Sequence, residues 1–316
     1  DDADSALGAT SNASSTTSIT SSIYQYRELH GRTYQATQSE DQYWAPNDEQ
    51  QNDGLDIIHN MLLMVLGNKL FQAPIPKQPK KVLDVGTGTG IWAIDFGDQN
   101  PSAEVIGTDI SPIQPSWVPP NVQFFIEDCN EQWTWPVDNF DFINVRALYG
   151  AVPDWIEFYK KAYKHVKPGG WIEHLEGDCR IQSDHVVIAK DHIFNRWAEL
   201  IYAAGDKMGK TFRITTGHQM KEGMEKAGFI DIVERKVKVP LHGWPKDPQL
   251  KNAGFLGNLA LDESLEGFGL YLLTAVLSWS KEEATVLIAQ MRQEIKKKSN
   301  CAWYMSTIVY GRKPTD

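Results

Sequence analysis

Cysteine is scarce in this chain: Cys129, Cys179 and Cys301 are three in all, odd in number and far apart. That usage offers no disulfide framework and no zinc-ligand spacing, and it fits a reducing compartment, cytoplasmic or nuclear. Long apolar runs are missing as well. The longest, around Met61–Leu66 and Leu270–Leu277, fall well short of the ~20 residues that a bilayer-spanning helix needs. Positive charge is in deficit, with 31 Lys and Arg against 41 Asp and Glu and a net charge of −10. A broad nucleic-acid face is therefore not expected. No metal-ligand spacing, internal repeat or signal peptide is visible. What is present is enough for one large domain with added elements: 316 residues, of which 41% are apolar.

Residues 1–22 are rich in Ser, Thr, Ala and Asp. They cannot bury enough apolar area to offset their ordering entropy, so a disordered tail is expected. Residues 23–80 form a second region. Ile23, Tyr24, Tyr26, Tyr34, Tyr43 and Trp44 stand among Arg27, His30 and Arg32, as a packed aromatic arm or a lid would have them. Asn52 or Asp53 can cap a helix over about 54–70, where Leu55, Ile58, Leu62, Leu66 and Leu70 recur at helical spacing. Pro74, Pro76 and Pro79 end it. His59 lies on that helix, where a lone histidine is ordinarily structural.

The stretch Lys80–Gly90, KKVLDVGTGTG, organises the rest. Val82, Leu83 and Val85 read as a buried parallel strand, with Asp84 just before the turn. Gly86, Gly88 and Gly90 alternate with Thr87 and Thr89, and a helical run opens at Ile91. Glycines suit a strand-to-helix turn that a ligand approaches closely. The pattern is D-x-G-x-G-x-G rather than the G-x-G-x-x-G of dinucleotide binders. An acid two residues ahead of the first glycine suits a ligand with an ammonium group, such as S-adenosylmethionine (SAM).

Further strands are expected at 104–109, 122–126, 140–145, 171–175, 230–239 and 302–310. Asp109 ends the first of these, the second strand of the sheet unit, 19 residues past Gly90, where an acid holds ribose hydroxyls in both NAD- and SAM-binding folds. Four prolines between Ser111 and Pro120 exclude a full helix there. Asp128 follows the third strand and can accept from an adenine amino group. Trp133 and Trp135 either wall that pocket or cover the sheet edge. Pro153 and Asp154 open a helix at the N1 and first-turn places. Another helix is expected from Val186 to Gly205. Thr216 and Gln219, and Ser280 and Glu283, read as capping boxes. Cap insertions are expected at about 180–228 and 241–300.

This order resembles the class I SAM-dependent methyltransferases over about residues 81–239 and 302–312. The resemblance implies an α/β, Rossmann-like fold, with a seven-stranded sheet parallel except for its last strand and helices on both faces. Longer phrases, including GTGTGIWAIDF, EVIGTDISPIQPSWVPPNVQF, KHVKPGGWIE and the upstream YWAPNDEQQNDGLDIIHNMLLM, look like the fungal LaeA-like methyltransferases. Residues 81–316 would then be the methyltransferase domain. The acceptor would be a protein or a secondary metabolite, with a tie to secondary metabolism and development, and with velvet-domain proteins among the partners.

Carried over by that resemblance, Asp84 and the backbone of Gly86, Thr87, Gly88 and Gly90 would meet the methionine part of SAM. Asp109 would take the ribose, Ile110 the adenine face, and Asp128 and Cys129 the adenine edge. Arg146 would meet the methionine part or the acceptor, and Tyr34, with Arg32, would close the site. His174, Glu173, Glu176 and His242 are the candidates for a general base, needed only when the acceptor arrives protonated. No magnesium mechanism is expected. The alternatives left open are a SAM-binding regulatory subunit and, more remotely, an NAD-dependent oxidoreductase.

Overall fold

The computed structural model describes residues 26–36 and 43–315; the tail expected at 1–22 lies outside them. In chain order the elements are β1 (Tyr26–Leu29), β2 (Arg32–Gln35), α1 (Glu49–Val65), β3 (Lys81–Val85), α2 (Ile91–Gln99), β4 (Glu104–Asp109), β5 (Val122–Ile126) and β6 (Phe140–Arg146). They continue with α3 (Trp155–His165), β7 (Val166–Ser183), α4 (Ile193–Met208), α5 (Gln219–Ala227), β8 (Ile230–Pro240), α6 (Pro248–Tyr271), α7 (Lys281–Ile295) and β9 (Ala302–Arg312).

Seven strands form one sheet in the order β5-β4-β3-β6-β7-β9-β8. All run parallel except β9, which is antiparallel to both neighbours. This is the sheet the resemblance implied. Alternation along the strands sorts their side chains to opposite faces. Leu83, Val85, Ile143 and Val145 pack with Trp155, Phe158 and Met224 of α3 and α5 on one side. Val82, Val105 and Phe142 pack with Trp92 and Phe96 of α2 on the other. Both faces being covered, the central strands are mainly apolar, with Asp84 and Asn144 as buried polar exceptions. A third cluster joins α4, α6 and α7 to Tyr34 and Trp44 of the arm.

Several local expectations change. The arm contains a β1–β2 hairpin, and α1 starts earlier than expected: Asp48 caps it, accepting from Gln51 N at 3.1 Å. Asp48 is held in place by Arg32, whose Nη2 donates to it at 2.7 Å. Asp154 is itself the cap of α3, and Pro153 stands outside the helix. The Thr216–Gln219 pair forms no capping box, because His218 occupies the cap position in the left-handed region with φ 63°. The Ser280–Glu283 box is reciprocal as expected. β7 is 18 residues long rather than about five, because β9 pairs along it as far as Ser183. That extension delays the next helix to Ile193.

Candidate functional site

Gly86, Gly88 and Gly90 take φ values of 68°, 59° and 83°. A Cβ at Gly86 would lie 2.5 Å from Leu148 Cδ2, and one at Gly90 2.3 Å from Phe124 Cζ. Side chains are excluded on both counts, so bare backbone faces the cleft. Gly90 is the N-cap of α2 and brings no side chain to it, which leaves amide donors at the helix start for a ligand. Beneath the turn, buried Asp84 accepts from Thr87 Oγ1 at 2.6 Å and Asn144 Nδ2 at 2.7 Å. Burial pushes its carboxyl above the ordinary range, and those bonds and Arg146 pull it back. Asp109 accepts from Gly88 N at 2.8 Å and Ser111 N at 3.0 Å, and burial pushes it up to about 6.

Two adjoining compartments of about 520 and 630 Å³ share Tyr43, Gly86, Asp109 and Leu148. Ile110, Asp128 and Cys129 line the first. Asp84, Thr87, Gly88 and Arg146 line the second. Burial pushes the Cys129 thiol up to about 12, so it is a neutral wall. A third compartment of about 870 Å³ adjoins the second and shares Ile58, Arg146 and Ala147 with it. Its walls come from α1, β7, β9, α4 and α6, with Met61, Leu175, Trp197, Ala260 and Phe268 among them. The result is one cleft: a polar, glycine-floored trough opening into an apolar chamber.

Residues 32–233 match the family model for a methyltransferase domain. The chain is 37% identical over 304 residues to methyltransferase pytC of Aspergillus terreus, covering 95% of this chain and 92% of that one. Secondary metabolism regulator LAE1 of Cochliobolus heterostrophus is 37% identical over 279 residues, 86% of this chain and 90% of its own. This chain belongs to the LaeA-like, SAM-dependent methyltransferases. Another relative, the protein-methionine methyltransferase laeA of Emericella nidulans, is 31% identical over 92% of this methyltransferase and 77% of its own length. Among solved structures, the putative methyltransferase in complex with the Haloferax volcanii Trm112 activator is 14% identical with a TM-score of 0.49, covering 88% of this chain and 100% of that one.

The cleft of this methyltransferase fits SAM: a side-chain-free turn at a helix start, a carboxyl under it, and a second carboxyl at the end of β4. Of the residues named from the sequence, Asp84, Gly86, Thr87, Gly88, Asp109, Ile110, Asp128, Cys129 and Arg146 line the cleft together, and Gly90 shapes the turn. Tyr34 does not join them. It is buried in β2 with its ring 5.5 Å from that of Tyr271, on the cap side of the arm. Tyr43 is the arm residue that reaches the cleft. Nothing in its spacing distinguishes it from the other arm aromatics.

The structure places three of the general-base candidates in buried, hydrogen-bonded positions and His242 beyond the end of β8. His174 is fully enclosed: Tyr159 Oη donates to its Nδ1 at 2.7 Å, and its Nε2 donates to Glu176 at 3.0 Å. Glu176 Oε1 also accepts from Leu148 N at 2.6 Å and Tyr149 N at 3.1 Å, so the pair anchors the loop after β6. Glu173 accepts from Gln72 N at 2.7 Å and Ala73 N at 2.6 Å and clamps the entry to β3. His242 sits past the end of β8, whose last residue Pro240 lies five positions beyond Arg235, level with Leu175 through Ile308; that is roughly 16 Å along the strands. His59 turns out to matter. Arg146 Nη2 donates to its Nδ1 at 3.1 Å, which leaves Nε2–H to donate to Asp95 at 2.9 Å.

Proposed function

We propose that Asp84 and the Gly86–Gly90 backbone hold the methionine end of SAM, Asp109 its ribose, and Ile110, Asp128 and Cys129 its adenine, under Tyr43. Arg146, steadied by His59 and Asp95, stands at the passage to the chamber that receives the acceptor. The observation that carries this reading is that the trough and the chamber adjoin, with Ile58, Arg146 and Ala147 in the walls of both. When bound, SAM supplies an electrophilic methyl on a good leaving group. The chain's own task is alignment and exclusion of water, and alignment alone can contribute roughly 7–11 kcal/mol to lowering the barrier.

By likeness to its regulator relatives, this enzyme acts in fungal secondary metabolism and development, in the cytoplasm or nucleus, with velvet-domain proteins as partners. No helix among the described residues is long and apolar enough to cross a membrane. Calorimetric titration with SAM tests the site: the wild type binds, and Asp84→Ala loses most of that affinity. Undiminished affinity in Asp84→Ala overturns the assignment. The regulator names of relatives favour a second reading, a SAM-binding subunit working through protein complexes. Labelled-methyl turnover with intact-mass analysis of acceptors separates the two, because the subunit binds SAM without turnover.

A further inference from the structure

Two polar residues in the wall of the apolar chamber each keep an oxygen without a partner among the described residues. Asp178 lines it. Its Oδ1 accepts from Tyr202 Oη and from Arg180 N, while Oδ2 has no hydrogen bond among the described residues. Ser264, on α6, is 2% exposed and lines the same chamber, and its Oγ has no partner among the described residues. A helical serine ordinarily satisfies itself on the carbonyl one turn back or on water. A half-satisfied carboxyl in the wall of an apolar space is what a pocket for an oriented small molecule looks like.

Apart from the Arg146 guanidinium at the edge, the other titratable groups on the walls are held neutral. Burial pushes Tyr149, Cys179 and Tyr304 up. Asp178 is the chamber's one carboxyl among the described residues. Given the reading that SAM occupies the glycine trough, we infer that the chamber takes a compact, mainly apolar small molecule bearing one phenolic or enolic hydroxyl, and that Asp178 Oδ2 receives its proton. The acceptor oxygen forms the new O–CH₃ bond as the S–CH₃ bond breaks and its electron pair returns to sulfur. The hydroxyl proton passes to Oδ2 and from there to water. A thioether acceptor has no N–H or O–H to offer and would leave Oδ2 unmatched.

The test uses the full chain saturated with S-adenosylhomocysteine and titrated by fluorescence with 2-naphthol and with its ether, 2-methoxynaphthalene. The phenol binds saturably and at least fivefold more tightly than the ether. Asp178→Asn narrows that ratio to within twofold. Ala260→Phe, which fills the chamber, weakens both probes more than tenfold while SAM affinity stays within twofold. Equal binding of phenol and ether to the wild type, no saturable binding of either, or an Ala260→Phe variant that binds as before overturns the inference. The wild-type comparison needs no variant to fold. Loss of SAM binding by the wild type would instead sink the cofactor reading, so the two failures are distinguishable.

Discussion

The two ends of the cleft are built in opposite ways. The trough draws almost all its residues from 84–148, from the ends of neighbouring parallel strands and the turns between them. It is polar, floored by backbone, and its carboxyls are held by hydrogen bonds from adjacent turns. The chamber collects side chains from Ile58 to Ser306 on six elements and is lined mostly by carbon. Local geometry makes the first, and tertiary packing makes the second. Damage to the chamber therefore registers as lost stability, and damage to the trough as lost affinity.

The largest expected effect tests the chamber side. Trp197 is 3% exposed, lines the chamber and lies 2.7 Å from where a Cβ on Gly269 would be. Trp197→Ala is expected to lower unfolding free energy by about 3–5 kcal/mol, measured by urea denaturation. SAM affinity of the folded variant stays within about threefold if the halves are energetically separate; a larger change breaks the comparison.

Glu173 sits between the halves, clamping the chain from α1 into β3. Burial pushes its carboxyl from the ordinary 4.5 to about 7. Because the folded value is raised, its contribution is most favourable below about pH 4.5 and is lost as pH climbs through about 7, to a total on the order of 3 kcal/mol. Glu173→Gln keeps an acceptor for Gln72 and Ala73 and should flatten stability between pH 5 and 8. An unchanged slope would assign the pH dependence elsewhere.

On the trough side, Gly86→Val meets both a positive φ and Leu148. We expect SAM affinity to fall at least about 100-fold, or roughly 2.8 kcal/mol, by calorimetry, with 2-naphthol binding in the chamber retained. The smallest effect is a pH profile. With Asp109 at about 6 in the free site, protonation competes with ribose hydroxyls below that pH, so SAM affinity should drop by up to about tenfold from pH 6 to pH 5. Asp109→Asn removes this dependence while weakening binding at pH 7.5; a profile in the variant that still bends at pH 6 excludes Asp109 as its source.

The same contrast governs what could be read in advance. The glycine turn and the acids at or near the ends of β3, β4 and β5 were visible because each depends on a residue's immediate neighbours in a strand–turn unit. Tyr43 and Tyr34 could not be told apart, since which one reaches the cleft depends on how the hairpin packs on α6. His174 looked available as one of several polar residues ending a strand. Only the fold shows α3 bringing Tyr159 and Trp155 over it, with the Trp155 ring 4.6 Å away and stacked.

The sequence by itself determined the parallel sheet, the side-chain-free turn and the family, because apolar runs, glycines and carboxyls at fixed spacing permit few other local conformations. Tertiary structure alone decided the length of β7, the burial of Glu173 and His174, and the chamber with Asp178 and Ser264 in its wall. Each of these arises where segments separated in the sequence, by 15 residues for Tyr159 and His174 and 101 for Gln72 and Glu173, are packed together, and no short-range pattern records which side chains will share a space once the chain has closed.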